Sequence, residues 1–263
     1  MFFLKNSLLT KDKQVRWKID VTGRHPDNTN AAIDDLRIIR YLLQGSERWN
    51  LPNDRQLALD IAEGLYKNNR SGSLLMDYYS FDDGDKGSTV TSSYLDVATM
   101  NELAKELPEW HSVAGESLQL LLQAAKPSGF FRKTYDTLSQ SWGNTEDLQG
   151  YNLIDTLIAA IHLAEAGQDA GPTVRLMEEL WNRDSRLYSV YNEQRQVLNN
   201  NESPAVYSLA VQLFRLAGKE DVATGLKERM EQFQLSDESS PITEDISTHR
   251  PWNASLLTTF RPS

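Results

Sequence analysis

Apolar residues recur at spacings of three and four in eight stretches, roughly 30–44, 55–69, 94–107, 110–126, 148–166, 171–183, 202–217 and 219–234, and each predicts a helix with one face to bury. In the first, Ile33, Leu36, Ile39, Leu42 and Leu43 form a stripe, and Gly45 offers the left-handed residue that commonly stops a helix. In the second, Pro52-Asn53-Asp54 gives a turn and cap ahead of Leu57, Ile61, Leu65 and Tyr66. Short connections at 107–109, 167–171 and 218–219 pair the helices into hairpins, and longer joints at 71–93, 127–147 and 184–201 lead from one hairpin to the next.

The first two long joints are rich in acids and aromatics: Asp77, Tyr78, Tyr79, Phe81, Asp82, Asp83 and Asp85 in one, Phe130, Phe131, Tyr135, Asp136 and Trp142 in the other. Joints of this length within a packed domain are usually functional, and their aromatic content argues against disorder, so they are expected to line a cleft. Residues 187–191 are expected to add a short strand beside it. Hairpins of irregular length with no fixed repeat fit an all-α, closed α/α toroid better than an open solenoid.

The net charge of −10 changes the picture by excluding the concentrated basic face that nucleic acid or anionic lipid would need. No stretch of about 18 apolar residues occurs, so no membrane span is expected. Lys5 and Asn6 interrupt the opening apolar residues, so no export signal is read there. The absence of cysteine removes disulfides and Cys-ligated zinc, and no phosphate-binding glycine loop, HExxH or GxSxG pattern is present. The acidic run Asp82-Asp83-Gly84-Asp85 lacks the twelve-residue calcium-loop pattern and reads as a solvated loop. No metal or organic cofactor is implied. Six Trp and ten Tyr suit sugar rings as well as ordinary packing.

Three tracts carry a family resemblance: Asn30-Ala31-Ala32-Ile33-Asp34-Asp35-Leu36-Arg37; Gly150-Tyr151-Asn152-Leu153-Ile154-Asp155 continuing to His162 and Glu165; and Asn201-Glu202-Ser203-Pro204-Ala205-Val206-Tyr207. Ser93-Tyr94-Leu95-Asp96 fits the same pattern. Together they resemble the inverting glycoside hydrolases of family 8, in particular the branch from Gram-positive exopolysaccharide operons, with the related amylolytic family 126. The resemblance implies an (α/α)6 toroid over residues 1–235, followed by an irregular tail at 236–263. It also implies a polysaccharide or oligosaccharide substrate and an extracellular or envelope location. Inverting hydrolysis divides the work between a protonated carboxyl and a carboxylate that activates water. The family's acid, a glutamate, would align ahead of Met1, so an incomplete toroid with impaired turnover is expected.

The candidate catalytic carboxylates are Asp35, Asp34, Asp155 and Glu202, and Tyr94, Tyr151, Asn152 and Tyr207 are the expected substrate-binding residues. Asp34 and Asp35 point about 100° apart on a helix, so only one can share the buried face; Asp35 matches the family's second aspartate, while Ile33 stands in place of the first. Asn152 falls where more distant members place the base. Glu202 precedes a helix and is read either as a cap or as a cleft residue. His162 reads as a packed core histidine. A remnant that keeps only a sugar-binding cleft, and an α-solenoid interaction protein, stay open as other readings.

Overall fold

The computed structural model describes residues 4–18, 27–143 and 145–233, so the expected tail at 236–263 lies outside the described residues. The helices are α1 (Ala32–Trp49), α2 (Pro52–Asn68), α3 (Val97–Ala104), α4 (Trp110–Ala124), α5 (Thr145–Gln149), α6 (Leu153–Glu165), α7 (Gly171–Asp184), α8 (Pro204–Leu216) and α9 (Glu220–Glu231). All eight expected helices are present, and α5 is additional: it is a single turn without a buried residue, so it leaves no apolar stripe to detect.

The boundaries differ from expectation for local reasons. Gly45 does not end α1; the ring of Trp49 lies against it, and the left-handed stop is Asn50, at φ 53°. The third helix starts late because Ser92–Tyr94 forms a 3-10 turn, after which the Asp96 side chain accepts from Thr99 N at 3.1 Å and caps α3.

α1 packs on α2, α3 on α4, α6 on α7 and α8 on α9. The first members lie side by side in the order α1, α3, α6, α8 and form the inner layer, with α2, α4, α7 and α9 behind them. Four hairpins of a toroid are therefore present among the described residues. One apolar core fills the first two hairpins around Leu36, Ile39, Ile61, Leu65 and Trp110. A larger one runs from Phe130 through Leu157, Leu176 and Leu187 to Tyr207 and Phe214.

The long joints carry the strands: β1 (Arg70–Ser71), β2 (Leu74–Leu75), β3 (Thr89–Thr91), β4 (Thr134–Asp136), β5 (Ser141–Trp142), β6 (Tyr151–Asn152), β7 (Val190–Tyr191) and β8 (Val197–Asn199). β1 and β2 form a hairpin, and β3-β4-β5 and β6-β7-β8 form antiparallel sheets. Because β3 belongs to the joint 71–93 and β4 to the joint 127–147, the pairing Thr89↔Asp136, Val90↔Tyr135 and Thr91↔Thr134 brings those two joints to the same end of the toroid. The strand expected near 187–191 is β7, whose Tyr191 pairs with Tyr151.

Residues 4–18 lie across α2. A Cβ on Gly64 would come within 2.7 Å of the Asp12 carbonyl, so the crossing depends on that glycine. None of the described helices is long and apolar enough to cross a membrane.

Candidate functional site

The site is built at the N-terminus of α6. Asn152 leaves β6 in extended conformation, and its Oδ1 accepts from Ile154 N at 2.8 Å, which satisfies one of the free amides at the helix start. Asp155 then falls in the first turn, where the helix dipole favours a carboxylate. Its Oδ1 accepts from Ser93 Oγ at 3.1 Å, and its Oδ2 lies 2.9 Å from Lys133 Nζ. Lys133 is held by its backbone: its N–H donates to the Glu146 carboxylate and its carbonyl accepts from Ser92 N at 2.8 Å.

Tyr94 follows Ser93 on the 3-10 turn. Burial raises the pKa of its phenol, and the nearby charges of Asp77, Asp34 and Asp155 raise it further, with Arg37 opposing them. Tyr94 therefore stands among three carboxylates as a neutral hydrogen-bonding group. Asp34 is partly exposed in the first turn of α1, 3.6 Å from Arg37. Asp77 is partly buried: Oδ1 accepts from Thr91 N at 2.7 Å, and Oδ2 accepts from Thr91 Oγ1 at 2.8 Å and Thr89 Oγ1 at 3.2 Å. Burial raises its pKa above the ordinary aspartate value despite those donors and the charge of Lys133. Beside Asp155, a cavity of about 120 Å³ is lined by Phe131, Lys133, Glu146, Asn152 and Val190. The larger groove, about 550 Å³, lies at the short turns between α6 and α7 and between α8 and α9, away from these carboxylates.

Of the residues singled out from sequence, the structure therefore brings together Asp34, Tyr94, Asn152 and Asp155. Tyr151 also lines the cavity beside Asp155, though its ring is packed; Asp35, Glu202 and Tyr207 are elsewhere. Asp35 is wholly buried, accepting from Val15 N at 3.0 Å and from Asn30 Nδ2 at 2.8 Å, and burial pushes its pKa up to about 8. It faces the crossing segment and has no path to the cleft, because α1 turns Asp34 outward and Asp35 inward.

Tyr207 is fully buried, with its hydroxyl donating to Glu202 and accepting from Leu187 N at 3.1 Å. Glu202 is gripped by Arg229, through Nε at 3.0 Å and Nη2 at 2.7 Å. Burial alone would raise its pKa, but the bonds from Arg229 and Tyr207 outweigh that and hold it below the ordinary glutamate value. The helix cap at that point is Ser203. Tyr151 is 3 % exposed, stacked on Phe130 with ring centroids 4.3 Å apart, and its hydroxyl meets Lys126 and Glu193. Neither tyrosine has an open ring face to offer a ligand. A ladder residue at a strand start and an aromatic in a helix stripe are packed by their neighbours, which the motif alone does not reveal.

Asp96, His162 and Glu165 place ligand atoms within 4.8 Å of one another. The guanidinium of Arg40 lies there, donating to Asp96 and, at 2.8 Å, to Glu165, so the cluster is a buried ion network joining α1, α3 and α6. His162 is buried, as expected from its position. Lys133 had no sequence signal beyond its place in the joint 127–147, and Asp77 had only its membership of the acidic, aromatic joint 71–93. Isolated charges in loops carry no periodicity to read.

No family model matches the chain. The YdaJ protein of Bacillus subtilis (strain 168) is 30% identical over 237 residues, covering 89% of this chain, and the chain spans 63% of YdaJ's length. A novel alpha-amylase from Clostridium perfringens superposes with a TM-score of 0.84 at 23% identity, covering 91% of this chain and 69% of its own. PssZ from Listeria monocytogenes gives 0.74 at 23%, with 90% and 72% covered. The endoglucanase Cel10 from Klebsiella pneumoniae, a family 8 glycosyl hydrolase, gives 0.63 at 13%, with 88% and 82% covered. The chain has the α/α-toroid fold of the family 8 glycosidases. A D-mannose isomerase shares it too, at TM-score 0.67 and 12% identity over 90% of this chain and 69% of its own. Fold alone therefore leaves the reaction open, and the site must carry that argument.

Proposed function

We propose that this chain is a glycoside hydrolase domain that cleaves a polysaccharide, a glucan or an exopolysaccharide, with inversion, and that Asp155 is the carboxylate that activates water. The observation that carries this reading is the setting of Asp155: at the start of an inner helix, hydrogen-bonded on one oxygen and ion-paired on the other, beside a cavity, and facing Asp34 and Asp77 around Tyr94. In such a reaction water adds to the anomeric carbon from the face opposite the leaving oxygen. The water proton passes to the carboxylate, and a carboxylic acid gives its proton to the departing oxygen. Ser93 and Lys133 fix the orientation of Asp155, and in this reading Tyr94 and the amide N–H groups of Asn152 hydrogen-bond sugar hydroxyls. The alpha-amylase and endoglucanase among the structural neighbours support a glucan as the first substrate to try.

The test is reducing-end release from α- and β-glucans, with the anomeric configuration of the new end followed by NMR. Asp155→Asn is expected to lose 10²–10⁴-fold in turnover, the usual contribution of a positioned acid or base. An Asp155→Asn variant as active as the parent would remove Asp155 from the mechanism. A second reading, a cleft that binds glycan without cleaving it, is favoured by the cation beside each of two partly exposed carboxylates, Arg37 at Asp34 and Lys133 at Asp155. Such pairs suit hydrogen bonding to hydroxyls with no proton transfer. Quenching of Trp fluorescence by oligosaccharides without release of reducing ends would select it.

A further inference from the structure

The joint residue Asp77 is bonded to two of the elements that carry the site and not to the third. Its carbonyl accepts from Ala32 N at 2.9 Å, at the start of α1 and two residues before Asp34. Its own N–H donates to the Thr89 carbonyl at 3.0 Å, and its carboxylate takes the Thr91 amide and the Thr91 and Thr89 hydroxyls. Thr91 leads directly into the turn that carries Ser93 and Tyr94.

β3 already has its backbone ladder to β4, so the sheet does not need a buried carboxyl for its own pairing. Burying one is costly unless it is well bonded. The backbone of Asp77 already bonds α1 at Ala32 and β3 at Thr89; what the carboxyl adds is three further bonds, to the Thr91 amide and the Thr91 and Thr89 hydroxyls, that hold the end of β3 to the segment bonded to α1. The groups facing it are Thr89 and Thr91 on β3, Lys133 from the residue just before β4, and Tyr94 on the turn.

We propose that Asp77 is the positioning residue of this site: it locks the start of α1 to the turn after β3 and so sets where Asp34, Ser93 and Tyr94 stand about Asp155. The proposal rests on the glycosidase reading for its consequence in turnover, but the locking itself is readable without any substrate.

Three variants test it. Asp77→Ala removes the acceptor. Asp77→Asn keeps an oxygen for the Thr91 amide and offers N–H groups to the two hydroxyls, which can accept. Thr91→Val removes one hydroxyl and keeps the amide. Hydrogen exchange is measured first: in Asp77→Ala the Thr91 amide, bonded to the lost carboxylate, and the neighbouring amides of Ser92 and Leu95 are expected to lose protection at least about tenfold relative to the amides of α7, with Thr91→Val between Ala and parent and Asp77→Asn near the parent. Unchanged protection in Asp77→Ala overturns the proposal whatever the protein does to glycans.

Turnover is measured second, on the glucans hydrolysed by the parent. Asp77→Ala is expected to lower kcat by about 10²-fold, the effect of a misplacement near 1 Å, with KM changed less than threefold and Asp77→Asn restoring most of it. If Asp77→Asn is as slow as Asp77→Ala, the charge itself acts on substrate and the positioning role is overturned. A parent that neither hydrolyses nor binds glycans counts against the glycosidase reading, and the exchange result then decides the locking on its own.

Discussion

At the scale of single residues the most informative pair is Asp34 and Asp35. They are adjacent, yet one lies open beside Arg37 and the other is sealed under residues 14–15. Asp35 joins a buried network in which Asn30 Nδ2 also donates to Asn69 Oδ1 at 3.0 Å, Asn69 Nδ2 returns a bond to Asn30, and Gln14 meets Asn69. Its folded pKa of about 8 lies above the ordinary 3.8 because burial penalises the charged form. A carboxyl raised in this way contributes stability that is complete below about pH 4, where both states hold the proton, and is lost as pH rises through about 8. The thermal midpoint is therefore expected to fall steadily from about pH 5 to about pH 8 and to level off above that, and Asp35→Asn, which cannot ionise, is expected to flatten that fall. Parallel melting curves for the two proteins across this range would show that Asp35 is not the group responsible.

At the scale of elements, the joint between α5 and α6 sets the site. Gly150 has φ +80°, and a Cβ there would come within 2.6 Å of Leu198 Cδ1, 2.8 Å of the Tyr191 carbonyl and 2.9 Å of Val190 Cγ1. Gly167 has a similar φ of +73° but no atom within 4 Å of its would-be Cβ. Replacement by alanine imposes the backbone strain at both positions and the collision only at Gly150. Gly150→Ala is expected to lower the melting temperature at least twice as far as Gly167→Ala and to weaken turnover or glycan binding, because β6 and the cap of α6 move with it. Equal shifts for the two variants would mean the joint yields without cost. Asn152→Ala removes the cap bond to Ile154 and is expected to cost about 1 kcal/mol in chemical denaturation. A change below about 0.3 kcal/mol would mean that the bond from Leu153 N to the Ser189 carbonyl, 3.0 Å, holds this end by itself.

At the scale of the whole molecule, Arg40 ties three hairpins together. Its guanidinium bonds Asp96 at the cap of α3, Glu165 at the end of α6 and Thr99 Oγ1 at 2.8 Å, and Asp96 has no exposed surface. Burial would raise the pKa of Asp96, but His162, Arg40 and Thr99 overcome it and hold the carboxylate charged. Arg40→Ala leaves that carboxylate buried with only Thr99 and His162 as partners and no guanidinium to balance its charge, and a loss of about 3–5 kcal/mol is expected in urea unfolding. A loss under about 1 kcal/mol would show that the remaining partners of Asp96 hold it without the guanidinium.

The helices and their pairing were legible in the sequence because an apolar stripe at helical spacing depends only on local order, and the hairpin turns follow from the few residues left between stripes. The resemblance also located the tracts that hold Asp34, Tyr94, Asn152 and Asp155. What the sequence could not decide was which member of each tract faces the cleft: helical geometry separates Asp34 from Asp35 by about 100°, but only the segment crossing α2 determines which of them is covered. Likewise, only the meeting of two distant joints in one sheet puts Asp77 and Lys133 beside Asp155, and only the packing of α9 against α8 gives Glu202 the arginine that withdraws it. Contacts between residues far apart in the chain leave no periodic trace along it, and the site is made of such contacts.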